Sequence, residues 1–259
     1  MGESRSSLLL LDYDGTLAPF RTERSHAFPY PGVAPLLQTI IRNGSTRVVI
    51  VSGRDAGEMA PLLGVEPRPE VWGLHGLQRV RVDGSAELLE PDERTRETLR
   101  TAQRWLEYHE LQHLAECKTG SVAVHWRGLD ARAVEEIRNR VLLGWQPIAK
   151  PGGLDLVDFD GGIEIRSAAA DKGDAVRVLL GETDPEAPAA YLGDDTTDEP
   201  AFEAMAGRGL SVLVRSRWRE TAAQLWLKPP GELVDFLTRW RDCCRKRSAF
   251  SAIASEGNR

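Results

Sequence analysis

The segment LLLLDYDGTL, residues 8–17, decides the fold of this chain. Four consecutive leucines that end in an aspartate are typical of a strand buried on both faces of a parallel sheet. Asp12 and Asp14 follow this strand directly, and Gly15 permits a tight turn behind them. Because ligands bind at the carboxyl ends of strands in open parallel sheets, the segment predicts a ligand site as well as a core strand.

Strands and helices alternate in the two flanks of the chain. Apolar runs of strand length are followed by apolar residues at helical spacing, which is typical of a right-handed parallel α/β sheet. The first flank predicts a helix over 33–42, a strand over 47–51 and a helix over 55–63. The second flank predicts helices over 171–181, 199–206 and 232–244, and strands over 189–194 and 210–214.

The middle of the chain has a different pattern, which mixes antiparallel strands with helices. It predicts a strand-like segment at 71–76, a hairpin turn at Asp83–Gly84, helices over 93–112 and 131–143, and strands at 121–127, LDLVDF and IEIR. We interpret this part as an inserted α+β lobe. The expected organisation is a core of residues 1–90 and 167–245, a lobe of residues 91–166, and a frayed tail of residues 246–259.

Composition and charge argue against several classes of protein. The 259 residues carry 33 basic and 39 acidic side chains, a formal net charge of -6, so no basic field attracts nucleic acid or an anionic membrane surface. The apolar run before Asp12 is too short for a signal peptide or a membrane span. Cys117, Cys243 and Cys244 offer neither a disulfide framework nor a metal-ligand spacing, which favours reduced thiols. We therefore expect a cytoplasmic monomer with no nucleic-acid or membrane partner.

Polar groups suited to phosphate chemistry end three of the expected strands, in segments 12–16, 52–54 and 193–195. Clustered carboxylates repel each other unless a cation or a proton lies between them, and oxygen ligands favour a hard ion such as Mg²⁺. A carboxylate beside Mg²⁺ can attack phosphorus, as in enzymes that form an aspartyl phosphate. Ser52 can donate a hydrogen bond to a phosphoryl group, and Lys172 can neutralise charge on its oxygens.

Each of these pieces also has a simpler interpretation. A DxDG segment is often only a turn, GDDTTDE (residues 193–199) can be a loop with a helix N-cap, and Lys172 alone can be a surface lysine. Their order and their common placement at strand ends favour phosphoryl chemistry over coincidence.

The motif set resembles a known family. DYDGTL, SGR, the lysine of DKGDAV and GDDTTDE are similar to the four motifs of the haloacid dehalogenase superfamily of Mg²⁺-dependent phosphatases. Within it, LLLLDYDGTLAPF, VIVSGR, GLHGLQR, ECKTGSVAVHWRG, GIEIRSAAADKGDAV and YLGDDTTDEPAF resemble the trehalose-6-phosphate phosphatase family, over residues 8–202. The resemblance implies a Rossmannoid parallel-sheet core with an inserted α+β cap, and hydrolysis of trehalose 6-phosphate to trehalose and phosphate.

The resemblance also implies roles at the strand ends. Asp12 would take up the phosphoryl group, and Asp14 would protonate the leaving sugar oxygen and later activate water. Ser52 and Lys172 would hold the phosphoryl oxygens. The expected Mg²⁺ ligands are aspartate oxygens, from Asp12, Asp14 (backbone carbonyl) and Asp194, supported by Asp195 and Asp198.

Substrate-binding positions follow from the same resemblance. Backbone amides of the turn after the first strand would cradle the phosphate, and the cap would close over the sugar. The expected substrate-binding residues are Gly15, Thr16, Gly53, Arg54, His75, Gly76, Gln78, Lys118, His125, Arg127 and Glu164. For His125, which lies on an alternating strand with Val122 and Val124, a packing role is an equal alternative.

Two positions depart from the family pattern. Gln78 stands where the family has a glutamate, and Asp160 stands where it has a lysine four positions before Glu164, although Lys150 lies nearby. Both belong to the expected sugar-recognition set, and exchanging buried polar partners can change the preferred sugar. Phosphates of other sugars or glycosides, such as glucosylglycerol or sucrose, are therefore alternatives. A non-catalytic sugar-phosphate-binding module is disfavoured because every expected catalytic position is filled.

Overall fold

The computed structural model describes residues 7–21 and 23–256, with side chains as far as residue 243. The strands of this part are β1 (Ser7–Leu11), β2 (Thr46–Val51), β3 (Glu70–Gly73), β4 (Gln78–Val80), β5 (Ala86–Leu88), β6 (Ala115–Lys118), β7 (Ser121–His125), β8 (Leu154–Phe159), β9 (Gly162–Ser167), β10 (Ala189–Gly193), β11 (Leu210–Val214) and β12 (Leu225–Leu227). The α-helices are α1 (Val33–Arg42), α2 (Ala56–Leu63), α3 (Glu93–Tyr108), α4 (Ala131–Gly152), α5 (Lys172–Gly181), α6 (Glu199–Ala204) and α7 (Gly231–Glu256).

An eight-stranded sheet forms the core, in the order β12-β11-β10-β1-β2-β3-β4-β5. The strands from β12 to β3 pair in parallel, whereas β4 and β5 add an antiparallel hairpin. β1 lies near the middle, between β10 and β2. The carboxyl ends of β1, β2 and β10 therefore meet at one edge, as the sequence predicts.

Alternation along β1 supplies apolar side chains to both faces of this sheet. Leu9 and Leu11 pack with residues of α1, α2 and α7 on one face. Leu8 and Leu10 pack with residues of α5 and α6 on the other. All four leucines are fully buried, so burial of apolar surface on both faces stabilises the strand that carries Asp12. The predicted α/β core is confirmed.

A second, four-stranded antiparallel sheet in the order β6-β7-β9-β8 forms, with α3 and α4, a separate lobe (residues 93–167). Its own apolar core joins Leu106 of α3 and Trp145 of α4 to Ile163 and Ile165 of β9. Because neighbouring side chains in a strand point to opposite faces, Glu164 between these isoleucines faces away from the helices. This polar face lies over the carboxyl edge of the core sheet, since Glu164 lines one cavity with Asp12 and Asp194.

Several elements differ from the sequence-based expectation. Strand β3 ends at Gly73, and residues 74–76 form a 3₁₀ turn rather than strand. Helix α4 continues to Gly152, beyond the expected end at 143, because Trp145 and Ala149 bury their side chains against the lobe sheet. The short edge strands β6 and β12 carry too little pattern to be predicted.

The C-terminal segment also differs. Helix α7 continues to Glu256, so helical backbone occupies most of the segment that the sequence suggests is a frayed tail. Residues 257–259 and the side chain of Cys244 lie outside the described residues. Cys117 and Cys243 are free and exposed. No helix in the described part of the chain has both the length and the apolar character required to cross a membrane.

Candidate active site

Three buried carboxylates and one lysine lie together at the carboxyl edge of the core sheet. Asp12 follows β1, Asp194 follows β10, and oxygen atoms of Asp12, Asp194 and Asp198 lie within 4.8 Å of one another. Lys172, in the first turn of α5, donates from Nζ to Asp12 Oδ1 and to Asp198 Oδ1, both at 2.7 Å. Side chains predicted from three separate motifs thus form one cluster, which we call the carboxylate cluster.

Asp198 is the internal support of this cluster. Its Oδ2 accepts hydrogen bonds from the backbone N–H groups of Asp194 and Asp195, both at 3.0 Å. Its Oδ1 accepts from the hydroxyl of Tyr191 at 2.6 Å as well as from Lys172. With both oxygens used by the protein, Asp198 fixes the loop that carries Asp194 and holds Lys172 beside Asp12.

The electrostatics of the cluster favour a cation. Burial raises the pKa of Asp12 to about 7, an effect that Lys172 opposes and Asp198 reinforces. Burial, followed by repulsion from Asp12 and Asp198, raises the pKa of Asp194 well above its usual range. The negative charge of the ionised carboxylates therefore exceeds the positive charge of Lys172. A divalent ion among these oxygens would relieve the repulsion between them.

Asp14 has a different environment from Asp12. Arg54 donates to it in bidentate fashion, from Nε to Oδ2 at 2.6 Å and from Nη2 to Oδ1 at 2.7 Å. The guanidinium of Arg54 is buried, also pairs with Glu58, and donates to the carbonyl of Arg24. Asp14 itself is partly exposed and lines the cavity above the cluster. Arg54 therefore orients Asp14, although the sequence suggests contact between Arg54 and the substrate.

Gly15 and Thr16 lie in the turn after β1, which packs against the loop after β10. Gly15 has a φ of 87°, and a Cβ at this position would overlap the carboxylate of Asp194. Thr16 Oγ1 donates to Asp12 Oδ2 at 2.8 Å. Both residues shape the turn and orient Asp12.

Residues 52–54, after β2, contact His75, which in turn contacts the lobe. Ser52 is buried, and its carbonyl accepts a hydrogen bond from the backbone N–H of His75 at 3.0 Å. The imidazole lies over Gly53, where a Cβ would collide with it, and its Nε2 is 3.3 Å from Glu164 Oε2 of the lobe. Burial would raise the pKa of Glu164, but His75 and Lys118 lower it overall. The carboxylate is thus held charged at the junction of core and lobe.

Gly76 positions the neighbouring turn. Its φ is 108°, and a Cβ would lie 2.6 Å from the carbonyl of Asp171. Asp171 is the N-cap of α5. Glycine therefore permits close packing of this turn against the start of the helix that carries Lys172.

Charged side chains of β6 and β7 line the opposite wall. Glu116 shares a hydrogen bond with His125 Nε2 at 2.8 Å and forms an ion pair with Arg24 of the core. Burial raises the pKa of Glu116, but the His125 hydrogen bond and the charges of Lys118 and Arg24 lower it to about 2. Lys118 Nζ donates to the carbonyl of Gly53 at 2.8 Å. The lobe is therefore in contact with the core around the cavity.

Arg127 closes the wall beside the loop that follows β1. Its guanidinium lies 3.8 Å from the centroid of the Phe20 ring, and it donates to the carbonyl of Asp160. Burial lowers the pKa of Arg127. The stacked geometry is typical of a cation–π contact between lobe and core.

These groups enclose a cavity of about 100 Å³. The predicted residues that line it are Asp12, Asp14, Ser52, Gly53, His75, Lys118, His125, Arg127, Glu164, Lys172, Asp194 and Asp195. The predicted residues outside the lining are Gly15, Thr16, Arg54, Gly76, Gln78 and Asp198.

Gln78 contacts the backbone of α2 instead of the cavity. Its Oε1 accepts the N–H of Ala56, in the first turn of that helix, at 2.8 Å. We expect Gln78→Glu to keep this acceptor and to change relative kcat/KM values among sugar phosphates less than roughly two-fold. Gln78→Ala leaves the N–H without its partner and should lower the free energy of unfolding by about 1 kcal/mol. Urea unfolding and steady-state kinetics measure both effects; a new sugar preference in Gln78→Glu would contradict the structural assignment.

Sequence reasoning missed several lining residues, including Phe20, Arg24 and Glu116. Glu116 lies two residues before Lys118 and therefore on the same face of β6, but this strand is too short to be predicted from its sequence pattern. Phe20 and Arg24 had no usable signal, since they reach the cavity from an irregular loop.

Comparison with known proteins gives a family match over most of the chain. The family model described as trehalose-phosphatase matches residues 10–227. A trehalose-phosphate phosphatase of Mycobacterium marinum is 30% identical over 246 residues, which cover 89% of this chain and 60% of the relative. The chain therefore spans about three fifths of the length of that relative.

Two solved structures are similar to this chain. A trehalose-6-phosphate phosphatase related protein is 25% identical, with a TM-score of 0.70 over 93% of this chain and 100% of the other. A haloacid dehalogenase-like hydrolase from B. subtilis, 18% identical, has a TM-score of 0.62 over 90% of this chain and 99% of the other. The latter likeness shows the fold alone.

Proposed function

The chain belongs to the trehalose-phosphatase family and has a haloacid dehalogenase-like fold, and on this premise we propose that it hydrolyses trehalose 6-phosphate to trehalose and phosphate. The observation that carries the proposal is the pairing of Asp12 with Lys172 at 2.7 Å beside an Asp14 held by Arg54. This arrangement supplies a nucleophile, a counter-charge and a second carboxyl for proton transfer in one cavity.

The reaction follows from these side chains. A carboxylate oxygen of Asp12 attacks phosphorus, and the bond from phosphorus to the sugar oxygen breaks. Asp14, protonated and turned from Arg54 towards the substrate, gives that sugar oxygen its proton. Asp14 then takes a proton from water, which attacks the same phosphorus and releases phosphate and the Asp12 carboxylate. Lys172 and Ser52 stabilise charge on the phosphoryl oxygens throughout.

Mg²⁺ fits the carboxylate cluster because oxygen donors and excess negative charge are present there. Asp12, Asp194 and the backbone carbonyl of Asp14 would hold it. Asp195 would support it from outside, and Asp198 would act by fixing the loop of Asp194. The ion would supply neutralisation of charge on the phosphoryl group.

We expect Mg²⁺ to stabilise the protein more at pH 8 than at pH 5. In the folded metal-free protein the pKa of Asp12 is raised from 3.8 to about 7, so ionisation of Asp12 lowers stability as the pH rises through this window. Mg²⁺ competes with protons for these oxygens and therefore binds more tightly at higher pH. At about 100 times its Kd it should add about 2.7 kcal/mol to the free energy of unfolding.

Thermal unfolding with Mg²⁺ or EDTA at both pH values measures this effect, and EDTA should also stop turnover. Asp194→Asn is the matched control and should lose most of the stabilisation. Equal stabilisation at the two pH values, or full turnover in excess chelator, would contradict the proposed metal site.

The lobe acts in this proposal as a cap over the sugar, which assigns residues 91–166 to the cap and residues 1–90 and 167–245 to the core. Glu116, Lys118, His125 and Glu164 offer charged and polar groups to sugar hydroxyls. A cavity of about 100 Å³ is smaller than the roughly 300–1,000 Å³ of ligand pockets. A disaccharide phosphate therefore enters only when the lobe moves away from the core, and closure then excludes bulk water.

Phosphate release from a panel of sugar phosphates with Mg²⁺ tests the substrate. The proposal expects trehalose 6-phosphate to have the highest kcat/KM among trehalose, sucrose, glucosylglycerol and glucose phosphates. A higher kcat/KM for another sugar phosphate of the panel would identify that compound as the substrate instead. No release from any member would favour the non-catalytic binding module. A cytoplasmic location and a monomeric state stay predictions.

A further inference from the structure

The turn between β8 and β9 contacts the aspartate loop of the core (residues 193–198). The backbone N–H of Asp160 donates to Asp195 Oδ2 at 2.7 Å. The carboxylate oxygen Oδ2 of Asp160 accepts from Arg215 Nη2 at 2.8 Å. Beside them, Thr196 Oγ1 donates to the carbonyl of Asp158 at 2.9 Å. Three hydrogen bonds thus join the end of β8 and the turn that follows it to the core.

Arg215 links this turn to the carboxylate cluster. It follows β11, and its backbone carbonyl accepts from Trp226 Nε1 at 2.7 Å. Its Nη1 donates to the carbonyl of Asp194 at 3.3 Å and lies 3.9 Å from Asp194 Oδ2. One guanidinium therefore contacts both the lobe and the residue that we assign to the metal.

The position of Asp160 explains why an acidic residue suits this site. Asp160 is not among the residues that line the cavity, and its partner across the junction is an arginine. A lysine here would face Arg215 at the distance of an ion pair, and like charges at that distance repel. The negative charge of Asp160 is therefore complementary to the positive charge of Arg215 in the core.

We propose that Asp160 and Arg215 form a latch that favours the closed position of the lobe, and that Arg215 is a positioning residue that couples closure to the loop of Asp194. Only the expected effect of the latch on kcat/KM rests on the proposed function. The latch itself is a property of the metal-free protein.

The latch should be modest in strength. The side chains of Asp160 and Arg215 are 41% and 26% exposed, and partly exposed ion pairs shift an equilibrium by roughly two- to five-fold. Because salt screens such pairs, the closed fraction should fall as ionic strength rises.

Distance measurements between spin labels test the latch directly. Leu143 on α4 and Val178 on α5 are exposed, so cysteines there can carry labels after Cys117, Cys243 and Cys244 are replaced by serine. We expect Asp160→Asn and Arg215→Gln to shift the distance distribution of the metal-free protein towards longer values. Arg138→Gln is the matched control, because it removes a bidentate pair with Asp158 that lies within the lobe.

Unchanged distances in Asp160→Asn and Arg215→Gln, or an equal shift in Arg138→Gln, would overturn the latch. In kinetics with trehalose 6-phosphate, each latch variant should lose roughly two- to five-fold in kcat/KM. The double variant should lose no more than the worse single variant, and additive losses would contradict coupling. If no sugar phosphate is hydrolysed, the proposed function fails while the distance measurement still decides the latch.

Discussion

Asp12→Asn is expected to lower kcat by roughly 10⁴-fold or more, since removal of a covalent nucleophile has effects of this size. The asparagine keeps an oxygen that can accept from Thr16, but its amide is too weak a nucleophile to attack phosphorus. The same change should not destabilise the metal-free protein at pH 8. Burial raises the pKa of Asp12 to about 7, so the ionised carboxylate is the less favourable occupant of this site above that pH.

Phosphate release and thermal unfolding of the two proteins, measured side by side at pH 8, separate catalysis from folding. Asp14→Asn is the informative comparison, because it should also lose turnover of sugar phosphates but less of it with an aryl phosphate, whose leaving group needs little protonation. An Asp12→Asn protein with near wild-type turnover would contradict the assignment of the nucleophile.

Lys172→Met should lower both activity and stability. Lys172 is 3% exposed and contacts Asp12 and Asp198 at 2.7 Å, so its loss leaves buried carboxylates without their partner. Breaking a buried pair on one side costs about 3–5 kcal/mol, and loss of charge stabilisation at the phosphoryl group lowers kcat by roughly 10²–10³-fold. Without Lys172 the raised pKa of Asp12 rises further, and Asp198 loses a charge that lowers its pKa. The loss of stability should therefore be greater at pH 8, where Asp12 is ionised, than at pH 5.

Lys118→Met is the matched control, since Lys118 lines the same cavity and is less buried. It donates to the carbonyl of Gly53 and lies 3.7 Å from Glu116, outside the carboxylate cluster. We expect it to raise KM for the sugar phosphate and to leave the difference in stability between pH 5 and pH 8 unchanged, because the carboxyl pKa values that Lys118 lowers, those of Glu116 and Glu164, lie below this range. Urea unfolding at the two pH values provides the measurement. A loss of stability in Lys172→Met that is independent of pH would contradict the proposed charge balance.

Local sequence signals were sufficient for the core and the carboxylate cluster. The run Leu8–Leu11 has few options other than a buried parallel strand, and strand ends converge at one edge of such a sheet. The sequence alone therefore predicts that Asp12, Lys172 and Asp194 lie close together. The confirmed hairpin at Asp83–Gly84 likewise depends on neighbouring residues alone.

Contacts between the lobe and the core could not be predicted in the same way. The pairs Arg24–Glu116 and Asp160–Arg215 join residues far apart in sequence, and no periodicity relates them. Gln78 shows a related difficulty, because its family position predicts a contact with the sugar, whereas its side chain contacts the start of α2. Side-chain direction at such sites depends on how the lobe is placed on the core.

Acid-quench labelling is the most direct test of the central claim that Asp12 carries the phosphoryl group. The protein is mixed with Mg²⁺ and trehalose 6-phosphate bearing a radiolabelled phosphoryl group, quenched at increasing times, and digested for peptide mapping. The account predicts hydroxylamine-sensitive label on the peptide that contains Asp12, formed before steady-state phosphate release and absent in Asp12→Asn. Continued turnover with label on another residue, or with no labelled protein at any quench time, would contradict it.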